Sequence, residues 1–248
     1  LDIPLAPKGA IEIINRAVIH TLDFGRINEH PFFCTCGIGF DAYVSQKFAE
    51  AGKRGFKTYV ENTLFSGFSY KPQTYTITNH GETTTCPAFL IACANASQYG
   101  NDALIAPYAS MKDGLLDVVI MKPFSTIESP QVILQLFAGT LPESSHVRTL
   151  RTDHLHILRE EDGPAHFDGD AFMTGKEIDI RLVRQGLNVV VNESKRRFRL
   201  TPTSVLGARL FPRLFHEWIR DPERFLRETH NGFKRSGKAW LERFTSGR

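Results

Sequence analysis

Two apolar runs, Ala88-Phe89-Leu90-Ile91-Ala92-Cys93 and Leu116-Asp117-Val118-Val119-Ile120-Met121, read as buried strands, and the long stretch joining them constrains this chain more than any other feature. Residues 94–117 carry Asn, Gly, Pro and Asp, which bend backbone and offer oxygens to a ligand. A polar connection of that length between two core strands exposes backbone that packing does not require. Such loops are usually kept for a site.

The flanking sequence has the same strand character. Residues 73–78 alternate with period two, Asn79-His80-Gly81-Glu82 turns, and 83–93 return, which predicts a hairpin. Residues 154–159 predict a strand, 161–164 a turn and 165–172 its return. One more hairpin is predicted from 177–184, a turn at Gln185-Gly186, and 187–192. Residues 31–41 read as a strand breaking into a loop that contains Gly37 and Gly39, a weak phosphate-loop signal without a third glycine. Up to residue 195, helical spacing is confined to about 9–21, to 42–68 with a split near Gly52 and Gly55, and to 127–141 with a break near Pro130. Strands dominate and successive ones are mostly antiparallel. The expected class is therefore α+β and β-rich, a sandwich or barrel-like domain over about 24–195.

The formal charge of +3 conceals an asymmetry. From Ser194 to Arg248 there are 14 Lys and Arg against 5 Asp and Glu, a local +9, which leaves the preceding residues at −6. Apolar and aromatic residues recur at helical spacing through this basic segment, so 201–248 is expected to form short amphipathic helices. These either lie on an anionic membrane surface or dock on protein. No stretch has the apolar length to span a bilayer, and no signal-peptide pattern opens the chain. Four cysteines without a CxxC pair point to free thiols in a reducing compartment. A short first helix without a partner, in a chain opening on Leu1, points to a preceding domain.

Two acidic clusters could carry chemistry. In Ser110-Met111-Lys112-Asp113-Gly114-Leu115 a carboxylate with nearby carbonyls could hold a hard divalent cation, although Lys-Asp-Gly is also a common turn. In Phe167-Asp168-Gly169-Asp170-Ala171 a strand would place both carboxylates on one face, where like charges split into acid and base roles; the bland alternative is a solvated hairpin edge. Cys34 with Cys36, or His154 and His156 with His166, could gather a metal, but buried thiols and exposed strand histidines are commoner. No RNP, helix-turn-helix or zinc signature supports nucleic-acid binding.

Taken together, CGIGFDAYV at 36–44, ANASQYGNDALIAPYASMKDGLLDV at 94–118 and FDGDAF at 167–172 resemble the second domain of the soluble bacterial diacylglycerol kinases, a family related to sphingosine kinases. The resemblance runs from Leu1 to about Asn192. It implies an antiparallel two-sheet β-sandwich carrying the lipid site, paired with an N-terminal ATP-binding domain whose Gly-Gly-Asp-Gly-Thr loop is absent from these residues. On that basis 1–23 would be a remnant of the nucleotide-binding domain, 24–195 the lipid kinase domain, and 196–248 a basic extension without counterpart. Without the ATP-binding domain the residues in hand would be inactive.

By the same resemblance Asp113, with the backbone carbonyls of Ser110 and Leu115, matches a structural magnesium site. Asp168-Gly169-Asp170 matches an Asp-Gly-Glu motif whose last residue is the general base, here Asp170, one methylene shorter. Asn95 and Gly100 are further site candidates, and Asn101 stands where glycine is common. The implied activity is transfer of the ATP γ-phosphate to a lipid hydroxyl, in phospholipid metabolism, with Mg²⁺ and ATP as cofactors. The implied partners are a lipid with a free hydroxyl and an anionic membrane surface through 201–248, with no nucleic acid; a homodimer is compatible, and the location would be cytoplasmic and peripheral to the membrane. The alternative is a non-catalytic β-sandwich module that binds lipid, a membrane surface or a partner protein.

Overall fold

The computed structural model describes residues 3–51, 70–100, 103–125 and 127–192. Helix α1 (Pro7–Arg16) opens with proline in its first turn, where a missing N–H costs nothing, and ends as Ala17 turns left-handed (φ 50°). Strand β1 (Ile19–Ile27) follows at once, so the first strand starts inside the stretch read as an upstream remnant. Then come β2 (His30–Phe32), β3 (Thr35–Gly39), α2 (Phe40–Ala51), β4 (Gln73–Asn79), β5 (Glu82–Ala88), β6 (Leu90–Ala94) and β7 (Leu116–Met121). Helix α3 (Ser129–Ala138) and a 3-10 turn (Leu141–Glu143) lead into β8 (Val147–Thr152), β9 (His154–Arg159), β10 (Gly163–Phe167), β11 (Asp170–Thr174) and β12 (Glu177–Val190).

The strands form two six-stranded sheets, ordered β2-β1-β12-β9-β4-β5 and β11-β10-β3-β6-β7-β8. Every pairing between them is antiparallel. This is the two-sheet sandwich, not a barrel. Alternate residues of both sheets meet in one core: Ile27, Ile157, Ile178 and Tyr75 from the first, Ile38, Ile91, Val118 and Ala165 from the second. The outer face of the second sheet carries another apolar layer, in which Leu90, Ala92 and Val119 lie with Phe40 and Val44 of α2, Ile105 and Ala106 of the long loop, and Val132 of α3.

Four expectations need correction. Residues 83–93 are two strands, because at Phe89 the chain leaves the first sheet as β5 and enters the second as β6. The predicted hairpin of 154–172 does not form: β9 pairs with β4 and β12, whereas β10 pairs with β3 and β11. Gln185-Gly186 is not a turn but a kink within one long β12. There Gln185 is left-handed (φ 51°) and the register against β1 slips between Leu22 and Phe24, so the strand absorbs an irregularity instead of reversing. Pro130 starts α3 instead of breaking it.

The helix expected over 42–68 is seen as α2 from Phe40, its remainder lying outside the described residues. The basic segment 196–248 lies outside them too. Among the described residues no helix is long and apolar enough to cross a membrane.

Candidate functional site

The Asp168-Gly169-Asp170 cluster lies at the tip of the β10–β11 hairpin. Phe167 pairs with Asp170, so the turn is the two residues between them, Asp168 and Gly169. Both are left-handed (φ 48° and 92°), the geometry that a tight hairpin demands and that Asp and Gly tolerate best. The two carboxylates therefore do not share a strand face, and that expectation is corrected: one belongs to the turn and one to the strand.

Their environments differ accordingly. The Asp168 carboxylate accepts the backbone N–H groups of Phe33 (2.7 Å), Cys34 (2.7 Å) and Thr35 (3.0 Å), while its own N–H donates to Thr35 O (2.8 Å). Charge-assisted bonds of this number fix a side chain firmly. Asp170 is exposed, and no hydrogen bond or ion pair engages its carboxylate among the described residues. Behind the hairpin, His30 stacks on Phe167 (4.8 Å between centroids, 8° between planes) and meets Phe172 at 4.4 Å.

The 33–35 segment is gripped from its other side by the long loop. Cys34 O accepts the N–H groups of Asn95 and Ala96, each at 2.9 Å, and the Asn95 amide donates to Phe33 O (2.8 Å) and Asp23 O (2.9 Å). Asn95 is fully buried and its Oδ1 has no partner among the described residues. Asp23, which sequence reasoning passed over, is buried as well. Its carboxylate accepts Gly114 N–H (2.9 Å) and Gln185 N–H (2.7 Å), and its N–H donates to Met111 O (2.8 Å). Hydrogen bonds thus run from the acidic hairpin through 33–35, Asn95 and Asp23 to the 110–115 loop. The loop is not polar throughout: Ala103 to Ala106 are buried, which anchors its middle to the sheet. Gly100 (φ 119°) occupies backbone space that L side chains avoid, and its neighbours 101–102 lie outside the described residues.

Within the 110–115 loop Gly114 is left-handed (φ 74°), and Asp113 Oδ1 accepts Leu115 N–H (3.2 Å). The other Asp113 oxygen pairs with Arg151, whose Nε also lies 3.5 Å from Asp117 Oδ1. Burial, opposed by Arg151 and helped by Asp113, pushes the Asp117 carboxyl up. Asp117 Oδ2 is buried. The carboxylate oxygens of Asp113 and Asp117 are of the kind that a hard divalent cation takes, and Asp117 Oδ2 is left unsatisfied among the described residues.

A second polar cluster sits on the outer face of the same sheet. His166, 1% exposed, places Nε2 3.1 Å from Asp41 Oδ2, and Tyr99 donates its hydroxyl to that oxygen (3.0 Å). Gly37 makes room: a Cβ there would overlap the Asp41 carboxylate and come within 3.0 Å of His166 Nε2. The signal for this cluster was present in the GxGFD segment, but the partner positions lie far along the chain. The histidine trio does not assemble, since His166 is in the second sheet while His154 and His156 are in the first. Cys34 precedes β3, whereas Cys36 is buried opposite Cys93, and burial pushes its thiol well above the usual range. Among the described residues no three His, Cys, Asp or Glu side chains gather to hold a metal.

Two antiparallel six-stranded sheets with an acidic hairpin at one edge define a sandwich of the kind seen in diacylglycerol kinases. A solved structure titled “Crystal structure of a putative diacylglycerol kinase from Bacillus anthracis str. Sterne” superposes with a TM-score of 0.64 at 22% identity, over 77% of this chain and 63% of that one. A second from the same organism gives 0.55 at 18% identity, over 77% and 61%. At those identities the likeness is one of fold. Residues 34–191 match the family described as the YegS C-terminal NAD kinase beta sandwich-like domain, and the chain belongs to that family.

Relatives include a protein named “Diacylglycerol kinase” in Mycobacterium tuberculosis (27% identical over 158 residues, 61% of this chain and 51% of that protein). Another is named “Probable lipid kinase YegS-like” in Chromohalobacter salexigens (26% over 174 residues, 68% and 55%). The chain spans about half the length of the curated relatives it matches.

Proposed function

We propose that this domain is the lipid-substrate half of an ATP-dependent lipid kinase, in which Asp170 takes the proton from a lipid hydroxyl as that oxygen attacks the γ-phosphate of ATP. The observation that carries this reading is the unequal pair in the hairpin: Asp168 is consumed by three backbone N–H groups, while Asp170, two residues on, stands exposed and unengaged among the described residues. A positioned, accessible carboxylate is what proton abstraction from an alcohol requires. Phosphoryl transfer needs little else from this side beyond orientation, because charge neutralisation comes from the metal and from groups around the phosphates. ATP would sit on a nucleotide-binding domain outside these residues. Asp113 with the carbonyls of Ser110 and Leu115 would hold a magnesium ion that props the loop, and Asp23 and Asn95 would pass that loop's position to the hairpin.

The names borne by the relatives support a lipid substrate with a free hydroxyl. The test is phosphoryl transfer from γ-labelled ATP to short-chain diacylglycerol, sphingoid base and prenol substrates, using the domain joined to a lipid kinase nucleotide-binding domain. Transfer to one of them, lost in Asp170→Asn with melting unchanged, is the expected result. Full turnover by Asp170→Asn would remove Asp170 as the base. No transfer to any lipid alcohol would favour a non-catalytic, lipid-binding sandwich.

A further inference from the structure

The 110–115 loop is closed by a cation of the chain's own. Arg151 lies on β8 directly opposite Asp117 of β7, so the register of the sheet delivers its guanidinium to the end of the loop. There it pairs with Asp113 and approaches Asp117 at 3.5 Å. Two further basic side chains flank the loop: Lys112 Nζ lies 2.6 Å from His20 Nδ1, and a Cβ on Gly114 would meet Arg184 Nε at 2.9 Å. Arg184 itself leans towards Asp153 (3.3 Å). The carboxylate proposed to ligate magnesium is thus already neutralised by an arginine.

We infer that Arg151 is a built-in competitor for the cation site: it occupies Asp113 when the metal is absent and must swing away, or give up that oxygen, when a divalent ion binds. The inference rests on the reading of Asp113 as a magnesium ligand. Its physical content is a population effect. A ligand that binds only the open form of a site has its apparent affinity reduced by the fraction of time the site is open. Arg151 is 48% exposed, and ion pairs of that exposure are worth up to about 1 kcal/mol, which is roughly a fivefold change in an equilibrium. Freeing the guanidinium costs little structurally, because a half-exposed arginine is rehydrated as it leaves. The device keeps the loop shaped without metal and makes it responsive to magnesium at higher concentration than the bare acid set would be.

The experiment is a melting titration of the 248-residue protein with MgCl₂, each point matched in ionic strength with choline chloride, for wild type, Arg151→Gln, Arg151→Lys and Asp113→Ala. The expected result is a midpoint of the magnesium effect about three- to fivefold lower in Arg151→Gln, with Arg151→Lys between it and wild type and no response in Asp113→Ala. Equal midpoints in wild type and Arg151→Gln would overturn the competition while leaving the metal reading standing. Absence of any magnesium response in wild type and both Arg151 variants would overturn the metal reading, and the competition with it. Should Arg151→Gln fold poorly, the Arg151→Lys midpoint decides alone, since it keeps the charge but loses the planar fork.

Discussion

Asp168 and Thr35 bond each other in both directions: the Asp168 carboxylate accepts the Thr35 N–H at 3.0 Å and the Asp168 N–H donates to Thr35 O at 2.8 Å. Two segments far apart in the chain are locked by that exchange, and Phe33 and Cys34 add to it on the same carboxylate.

The two acids of the hairpin should therefore separate cleanly under mutation. Asp168→Ala leaves three N–H groups without their acceptor and puts alanine at a left-handed φ, so a loss of about 2–3 kcal/mol is expected. Asp170→Asn should stay within about 0.5 kcal/mol of wild type, as exposed substitutions do. Urea unfolding of both variants measures the contrast. Equal losses would place Asp170 in the scaffold.

Arg159 is 4% exposed and has no carboxylate partner among its hydrogen bonds; it donates to the carbonyls of Gly163 (2.7 Å), Thr174 (2.7 Å), Pro164 (3.0 Å) and Gly175 (3.2 Å). It ties β9 of one sheet to the open end of the β10–β11 hairpin in the other. Arg159→Ala should cost about 3 kcal/mol or more, a fall in Tm of roughly 6–12 °C for a domain of this size. Calorimetry checks it, and a fall of only a degree or two would show that water replaces the guanidinium at little cost.

Gly37→Ala tests the Asp41–His166–Tyr99 cluster. The new methyl would overlap the Asp41 carboxylate and lie 3.0 Å from both His166 Nε2 and Ile91 O, with backbone unable to give way. A loss of about 1–3 kcal/mol is expected, as in other overpacked cores. Tyr99→Phe, which removes the hydroxyl that bonds Asp41, should cost about 1 kcal/mol. Chemical denaturation ranks the two variants, and the reverse order would contradict the packing.

Acid stability should depend on Asp179. Burial alone would raise its carboxyl, but hydrogen bonds and charge from His154 and Arg181 outweigh burial and hold it below the ordinary range, about 3.9. The unfolded chain then binds the proton more readily. The contribution is complete above the unfolded value and is lost as pH falls through the folded one. Asp179→Asn should narrow its stability deficit against wild type between pH 5 and pH 2.5. Asp117 acts in the opposite sense, since its folded carboxyl is raised and its ionisation weakens the fold as pH rises. Asp117→Asn should therefore steepen the acid loss. Denaturant midpoints across that range give both slopes, and parallel curves for all three proteins would refute the assignments.

The sequence was most legible where one local signal decides the structure. Asn79-His80-Gly81-Glu82 marked the β4–β5 hairpin, whose left-handed His80 and Gly81 are what such a turn needs. The apolar runs at 88–93 and 116–121 marked adjacent core strands. Periodicity is blind to which sheet a strand joins, and for that reason 83–93 read as one strand although Phe89 carries the chain across. It is equally blind to a single left-handed residue that bends a strand without reversing it, as at Gln185. In the site, Asp113, Asp168 and Asp170 stood out by composition and spacing. Asp23 did not, and His166 stood out only beside His154 and His156, because the true partners Gly114, Gln185 and Asp41 lie 91, 162 and 125 residues away.

The place of β12 in the first sheet has a consequence for synthesis on the ribosome. It lies between β1 and β9, so the last of the described strands to emerge is the one on which the first of them must pair, Ile19 with Val190. Until then β1 presents an unmatched edge and apolar side chains to the cytosol of any host that makes it, and its closure entropy has yet to be met. All six strands of the second sheet precede β12, so that sheet can be complete while the first still waits for its central strand. Expression yield should then respond to chaperones and to low temperature far more than to substitutions on the finished surface.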